Sequence, residues 1–79
     1  MTTPALRDFM AELYFERRLA EECGRGFVFD GTTDREERKR RIREAIVARN
    51  LGGTIMGKNA AGKDETFARA FERHFGESP

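Results

Sequence analysis

Apolar residues recur every three or four positions along the first quarter of the chain, which is the period of an amphipathic α-helix. Thr3 followed by Pro4 is typical of a helix start, because the hydroxyl caps the first turn and proline tolerates the first helical position. Gly24 supplies a residue that ends a helix readily. The pattern predicts a first helix from residue 4 to about residue 23. Its apolar stripe, expected to face the core, consists of Leu6, Phe9, Met10, Leu13 and Ala20.

A second, shorter apolar strip lies on the opposite side of this predicted helix and consists of Phe15 and Leu19. A single core-facing stripe does not account for both sides of one helix. Two interpretations stay open. The strip packs under the C-terminal helix, or it contacts a partner.

A second helix is predicted from Thr33 to about Arg49. Thr33 and Glu36 have the spacing of a capping box, in which each side chain accepts a hydrogen bond from the other residue's backbone N–H. The second half of this helix carries an apolar stripe, whereas its first half is almost entirely charged. The stripe consists of Ile42, Ala45 and Ile46.

A third helix is predicted to begin with Asp64 as its cap and to stop at Gly76. Phe67, Phe71 and Phe75 are spaced four residues apart and place one aromatic stripe along it. We expect this stripe to enter the core.

Two short apolar segments, residues 27–29 and 54–56, are predicted to pair as a two-stranded β ribbon. Such a ribbon is marginally stable alone, so the helices have to cover it. The fold class that follows is mainly α: a small three-helix domain with a short ribbon. Residues 1–79 form one domain in this interpretation, since the chain contains no linker or repeat.

Composition restricts the chemistry. Cys23 is the single cysteine and His74 the single histidine, so neither an internal disulfide nor a cysteine or histidine metal site is expected. A Cys23–His74 nucleophilic pair lacks a supporting glycine-rich element. We therefore predict no catalytic residue, cofactor or metal.

The sequence predicts a cytoplasmic protein without a membrane partner, because it has one cysteine, no secretion leader and no apolar run near ~20 residues. A homodimer stays open, because small domains often need support from a second chain.

The segment 57–64 resembles a phosphate-binding loop but departs from it at one position. Gly57, Gly62 and Lys63 have the required spacing, yet Asp64 replaces the hydroxyl residue that holds Mg²⁺. A carboxylate there repels phosphates. The sequence favours a capped turn, and whether the loop binds any anion stays open.

Charge is unevenly distributed although the net charge is only +1. Residues 34–50 hold seven basic and four acidic side chains, so the excess of positive charge is local. Arginine-rich helices bind phosphate backbones or acidic proteins, but acidic residues four positions away also suit a solvated, salt-bridged helix. The predicted partner-binding residues are Arg35, Arg38, Lys39, Arg41, Arg43, Lys58 and Lys63.

The C-terminal third resembles the endings of small uncharacterised proteins encoded by bacteriophages and prophages. The resemblance spans about 25 residues, from Met56 through the Phe67–Ala68 pair to Glu77. It implies a context of short, arginine-rich bacterial or phage proteins that bind a host protein or nucleic acid, and it implies no active site.

Taken together, the sequence predicts a small non-enzymatic binding or regulatory module that acts by protein–protein interaction, as a phage or prophage accessory protein. The alternative is sequence-independent nucleic-acid binding through the arginine-rich second helix.

Overall fold

The computed structural model of the chain describes residues 3–24 and 34–79. Within these ranges it contains three helices and a two-stranded antiparallel sheet, which confirms the predicted fold class. The elements in chain order are α1 (Pro4–Cys23), α2 (Arg35–Ala48), β1 (Ile55–Lys58), β2 (Asp64–Thr66) and α3 (Phe67–Phe75).

Helix α1 begins and ends where its local signals predict. The Thr3 hydroxyl accepts a hydrogen bond from the Leu6 backbone N–H at 3.1 Å, which satisfies one donor of the open first turn. At the other end the Gly24 N–H donates to the Ala20 carbonyl, with φ of 72° and ψ of −150° at Gly24. A positive φ of this kind favours glycine, although the ψ value is not that of the left-handed helical cap.

Helix α2 is capped by Asp34, whose carboxylate accepts a hydrogen bond from the Glu36 N–H at 3.0 Å. The predicted cap, Thr33, lies outside the described residues. The helix ends at Ala48 with Arg49 as its cap residue, in agreement with the predicted end. Asn50 then takes a positive φ of 54°, which turns the chain toward β1.

The sheet is a hairpin in which β1 pairs with β2. The partner predicted for β1, residues 27–29, lies outside the described residues. The predicted cap of the third helix was wrong, because Asp64 lies in β2 opposite Lys58. The cap is Thr66, whose hydroxyl accepts from the Arg69 N–H at 3.3 Å. Residues 64–66 therefore form strand β2, and α3 begins directly after it.

The core lies where α1, α2, α3 and β1 meet. Its buried apolar residues are Phe15, Leu19, Ile42, Ala45, Ile46, Met56, Phe67, Ala70 and Phe71. The apolar stripes of α2 and α3 contribute as predicted, with Phe75 only partly buried at the edge of the core.

Helix α1 enters this core by the side opposite to the one predicted. Phe15 and Leu19 are fully buried, so the first of the two interpretations of this strip is correct and the strip is core. The predicted core stripe is largely exposed instead. The physical reason is Glu12, which lies on the same side as Phe15 and Leu19 and is also fully buried. A charged residue in the middle of a core face interrupts the periodic apolar pattern that identifies such a face.

Candidate protein-binding surface

A buried ion cluster positions α1 against α2. The Glu12 carboxylate has no exposed surface, and its Oε2 accepts hydrogen bonds from Arg38 Nη2 at 2.8 Å and from Arg38 Nε at 3.2 Å. The Arg38 guanidinium also lies over the Phe9 ring, 5.2 Å from its centroid. A buried carboxylate requires such a paired and hydrogen-bonded cation. Arg38 is thus part of the interior and is not available to a partner.

The other oxygen of Glu12 lies near Arg35 and His74 but has no aligned donor. Arg35 Nε lies 3.1 Å from Oε1 without the geometry of a hydrogen bond, and His74 Nε2 lies 3.7 Å from it. Arg35 also stacks over Phe75 at 5.1 Å from the ring centroid. These contacts assign Arg35 and His74 to the junction of the three described helices.

Acidic side chains neutralise most of the remaining predicted basic residues. Lys39 and Arg43 both contact Glu77, at 3.2 and 3.7 Å, and Lys58 Nζ lies 3.1 Å from Asp64 Oδ1. Arg41 contacts Glu37 at 3.5 Å. Lys63 is exposed and is not in an ion pair with any described residue. The seven predicted residues therefore do not form one continuous uncompensated basic field.

The loop between β1 and β2 directs its amides inward. Asn59 Oδ1 accepts hydrogen bonds from the N–H groups of Ala61 and Lys63, at 2.9 and 3.1 Å. The Gly62 N–H donates to the Asn59 carbonyl at 2.9 Å. Three amides are thus consumed within the turn, whereas a phosphate cradle presents its amides to the ligand. The loop also joins two antiparallel strands, which is not the strand–loop–helix order of a phosphate-binding loop.

One side of α1 presents apolar side chains to solvent. Leu6 is 48% exposed, Met10 59% and Leu13 43%. A shallow hollow of about 390 Å³ is lined by Met10, Leu13, Tyr14 and Arg17. We call the surface of Leu6, Met10, Leu13, Tyr14 and Arg17 the α1 face.

The sheet holds one edge of the α1 face in place. Arg18 Nε donates a 2.6 Å hydrogen bond to the Met56 carbonyl, which attaches β1 to α1. A Cβ atom at Gly57 would lie only 2.7 Å from the Tyr14 hydroxyl oxygen, so β1 passes closely against this ring. The Arg17 guanidinium lies over the Tyr14 ring, 5.5 Å from its centroid. The Tyr14 side chain is therefore close both to the strand and to a cation.

The cations on and beside the α1 face are uncompensated, in contrast to those of α2. Arg7 and Arg17 are both exposed, and neither is in an ion pair with any residue in the ranges 3–24 and 34–79. Glu21, on the same side of the helix, is already bound by Arg18. The surface thus combines an apolar strip with two positive charges.

The helical spacing of these apolar residues predicts a core position for them, whereas they lie at the surface. The signal that distinguishes the two cases is Arg17, which continues the spacing of Leu6, Met10 and Leu13 on the same helical side. An arginine in line with the stripe is more compatible with a solvent-facing surface than with a core.

The described residues offer little for catalysis or metal binding. No group of three or more His, Cys, Asp or Glu side chains within them could hold a metal ion. Burial raises the pKa of the Cys23 thiol above its ordinary value, with a smaller rise from Glu22 and an opposing effect of Arg49. The thiolate, which is the nucleophile, is therefore disfavoured. None of the helices described combines the length and the apolar character needed to cross a bilayer.

Comparisons of the chain with protein-family models, with curated proteins and with solved structures found no match. The function is therefore inferred from the chain's own surfaces.

Proposed function

We propose that this protein is a non-enzymatic binding module that acts by contacting another protein through the α1 face. The observation that carries the proposal is the exposure of Leu6, Met10 and Leu13 on a helix whose other side is fully packed. Burying apolar surface is the main favourable contribution to protein association, at roughly 25 cal/mol per Å². A contiguous apolar strip on a small domain is a typical contact surface.

The residues bordering the α1 face add polarity. Arg17 stacks on Tyr14, and tyrosine and arginine are enriched at the energetically important positions of protein interfaces. Lys58 follows Gly57 at the edge next to Tyr14, so the predicted lysine loop begins beside this surface. The proposal keeps a protein as the partner and transfers the main contact from α2 to α1.

Nucleic-acid binding through α2 has weaker support. Phosphate binding depends on cations that displace counterions, and the six cations of α2 are already in ion pairs with five carboxylates: Glu12, Glu36, Glu37, Glu44 and Glu77. Binding a phosphate backbone would require these ion pairs to be exchanged.

The single cysteine is compatible with a reducing compartment, and we propose that the protein is cytoplasmic.

The proposal is tested with affinity capture from bacterial lysate, using wild-type protein and the double variant Met10→Glu/Leu13→Glu. The matched control is Val47→Glu, since Val47 is an exposed apolar residue on α2. We expect the same proteins to be captured by the wild type and by the control but not by the double variant. Circular dichroism checks that all three chains are folded.

Two results would overturn the proposal. In one, capture is unchanged by the double variant. In the other, the wild type binds labelled DNA or RNA with an affinity that rises steeply as the salt concentration falls, and Arg41→Ala/Arg43→Ala abolishes this binding. That result would assign the function to α2.

A further inference from the structure

We infer, on the basis of the proposed function, that the segment binding the α1 face is an acidic amphipathic helix of another protein. Two observations carry this inference. One is the helical spacing of the apolar strip, and the other is a pair of uncompensated arginines, of which Arg17 continues the strip and Arg7 lies beside it.

The spacing along the strip is that of a helix-packing seam. Leu6, Met10, Leu13 and Arg17 are separated by four, three and four residues, which alternates as in the a and d positions of a coiled coil. At a rise of about 1.5 Å per residue the seam of these four positions, of which the first three are apolar, is roughly 17 Å long. A second helix of three turns with apolar residues at the same spacing matches it in length and period.

The two arginines indicate which charge the partner helix carries. Arg7 and Arg17 are exposed and in no ion pair with a described residue, and ten positions separate them along α1. This corresponds to roughly 15 Å along the helix axis. A partner helix with carboxylates about ten or eleven residues apart, near the two ends of its apolar stripe, places an acidic group near each arginine. Like charges at these positions would oppose binding.

A second copy of this chain fits the α1 face less well. A parallel pair of α1 helices in register would bring Arg17 of one chain against Arg17 of the other. An antiparallel pair with Met10 against Leu13 would place Arg17 beside Leu6 and the positive N-terminal end of the opposing helix. Glu21, an acidic residue on this side, is already bound by Arg18. The charges therefore favour a different, acidic protein.

The test is a selection from a displayed library of helical peptides. Each peptide carries leucines at alternating spacings of four and three, and the flanking positions vary among Glu, Lys and Gln. The baits are the wild type, Arg7→Glu/Arg17→Glu and Met10→Glu/Leu13→Glu. We expect the wild type to enrich Glu at flanking positions ten or eleven residues apart and the arginine variant to enrich Lys there.

Direct titration of the most enriched peptide gives the magnitude. Because exposed ion pairs contribute little, each mismatched charge is expected to weaken the affinity roughly two- to fivefold, with a smaller effect at high salt. Restoring complementarity, with a lysine peptide and the Arg7→Glu/Arg17→Glu protein, is expected to recover the affinity.

The outcomes separate this inference from the proposed function. If Met10→Glu/Leu13→Glu abolishes peptide binding but both other baits enrich the same flanking residues, the α1 face binds proteins and the acidic-helix inference is wrong. If the wild type enriches no peptide, the helical partner is wrong. Concentration-dependent dimerisation lost in Met10→Glu/Leu13→Glu would identify a second copy as the occupant. Binding to phosphatidylglycerol vesicles lost in the same variant would identify a lipid surface, and either result overturns the inference.

Discussion

The carboxylate of Glu12, which is fully buried, accepts two hydrogen bonds from the guanidinium of Arg38, at 2.8 and 3.2 Å. The two residues lie on α1 and α2 and are 26 positions apart in the chain. Arg35 and His74 approach the second carboxylate oxygen from α2 and α3. Glu12 is thus the residue at which side chains of the three described helices meet.

Removing Arg38 alone is predicted to be strongly destabilising. Arg38→Met leaves the Glu12 carboxylate buried without its hydrogen bonds, and breaking a buried ion pair typically costs about 3–5 kcal/mol. Urea unfolding followed by circular dichroism measures this loss. The double variant Glu12→Leu/Arg38→Met removes both charges and is predicted to unfold with a much smaller loss.

The control for this prediction is Arg40→Met on the same helix. Arg40 is exposed and contacts Glu37 and Glu44 at 3.3 and 3.4 Å. Exposed pairs contribute at most about 1 kcal/mol. Equal losses for Arg38→Met and Arg40→Met would show that the Glu12 cluster does not stabilise the core.

Two leucines on α1 are predicted to respond very differently to truncation. Leu19 is fully buried in the core, so Leu19→Ala is expected to cost about 2–5 kcal/mol. Leu13 is exposed on the α1 face, so Leu13→Ala is expected to change stability by about 0.5 kcal/mol or less. The free energy of unfolding of the two variants decides which side of the helix is packed. A larger loss for Leu13→Ala would contradict the fold described above.

The ends of the helices were largely predictable from sequence because capping is local. Thr3, Gly24 and Gly76 act within one turn of the backbone that they terminate. The predicted cap of α3, Asp64, lies two residues before the observed cap, Thr66, because both residues have capping side chains. The choice between them depends on β1, whose hydrogen bonds recruit residues 64–66 into a strand.

The orientation of α1 was not predictable from its apolar period. Glu12 lies on the packed side and Arg38, the residue that makes its burial tolerable, lies on another helix. Periodicity treats the two as surface residues, since their pairing depends on tertiary contact alone. The same contact buries Arg38, which was predicted to bind a partner. The packed orientation of α1 leaves its apolar strip exposed and available to a partner.

Cys23 is predicted to react slowly with thiol reagents in the folded chain. Burial raises its pKa, so the folded state keeps the proton to a higher pH than the unfolded state does. Iodoacetamide alkylation at pH 8, followed by mass spectrometry, should be slower in buffer than in urea. An equal rate in both would show that the thiol is not shielded.

The raised pKa of Cys23 also predicts how the free energy of unfolding changes with pH. The stabilisation from the protonated thiol is complete below the unfolded-state pKa of about 8.5 and is lost as the pH rises through the higher pKa of the folded state. Cys23→Ala removes this contribution and should reduce the fall in unfolding free energy above that pH.

Gly57→Ala is predicted to disturb both the sheet and the α1 face. The added Cβ would lie 2.7 Å from the Tyr14 hydroxyl oxygen but 3.7 Å from the ring carbon that bears it, so the hydroxyl alone is in conflict. Overpacking in a core costs about 1–3 kcal/mol, and the cost here is expected near the lower end because Tyr14 is partly exposed. Tyr14→Phe removes the conflicting atom, and the double variant Gly57→Ala/Tyr14→Phe is therefore expected to recover most of the lost unfolding free energy.

Gly53→Ala is the control, because a Cβ there meets no atom within 4 Å. If Tyr14→Phe fails to restore stability, the strand does not pass against Tyr14, and the α1 face lacks the fixed edge on which its shape depends.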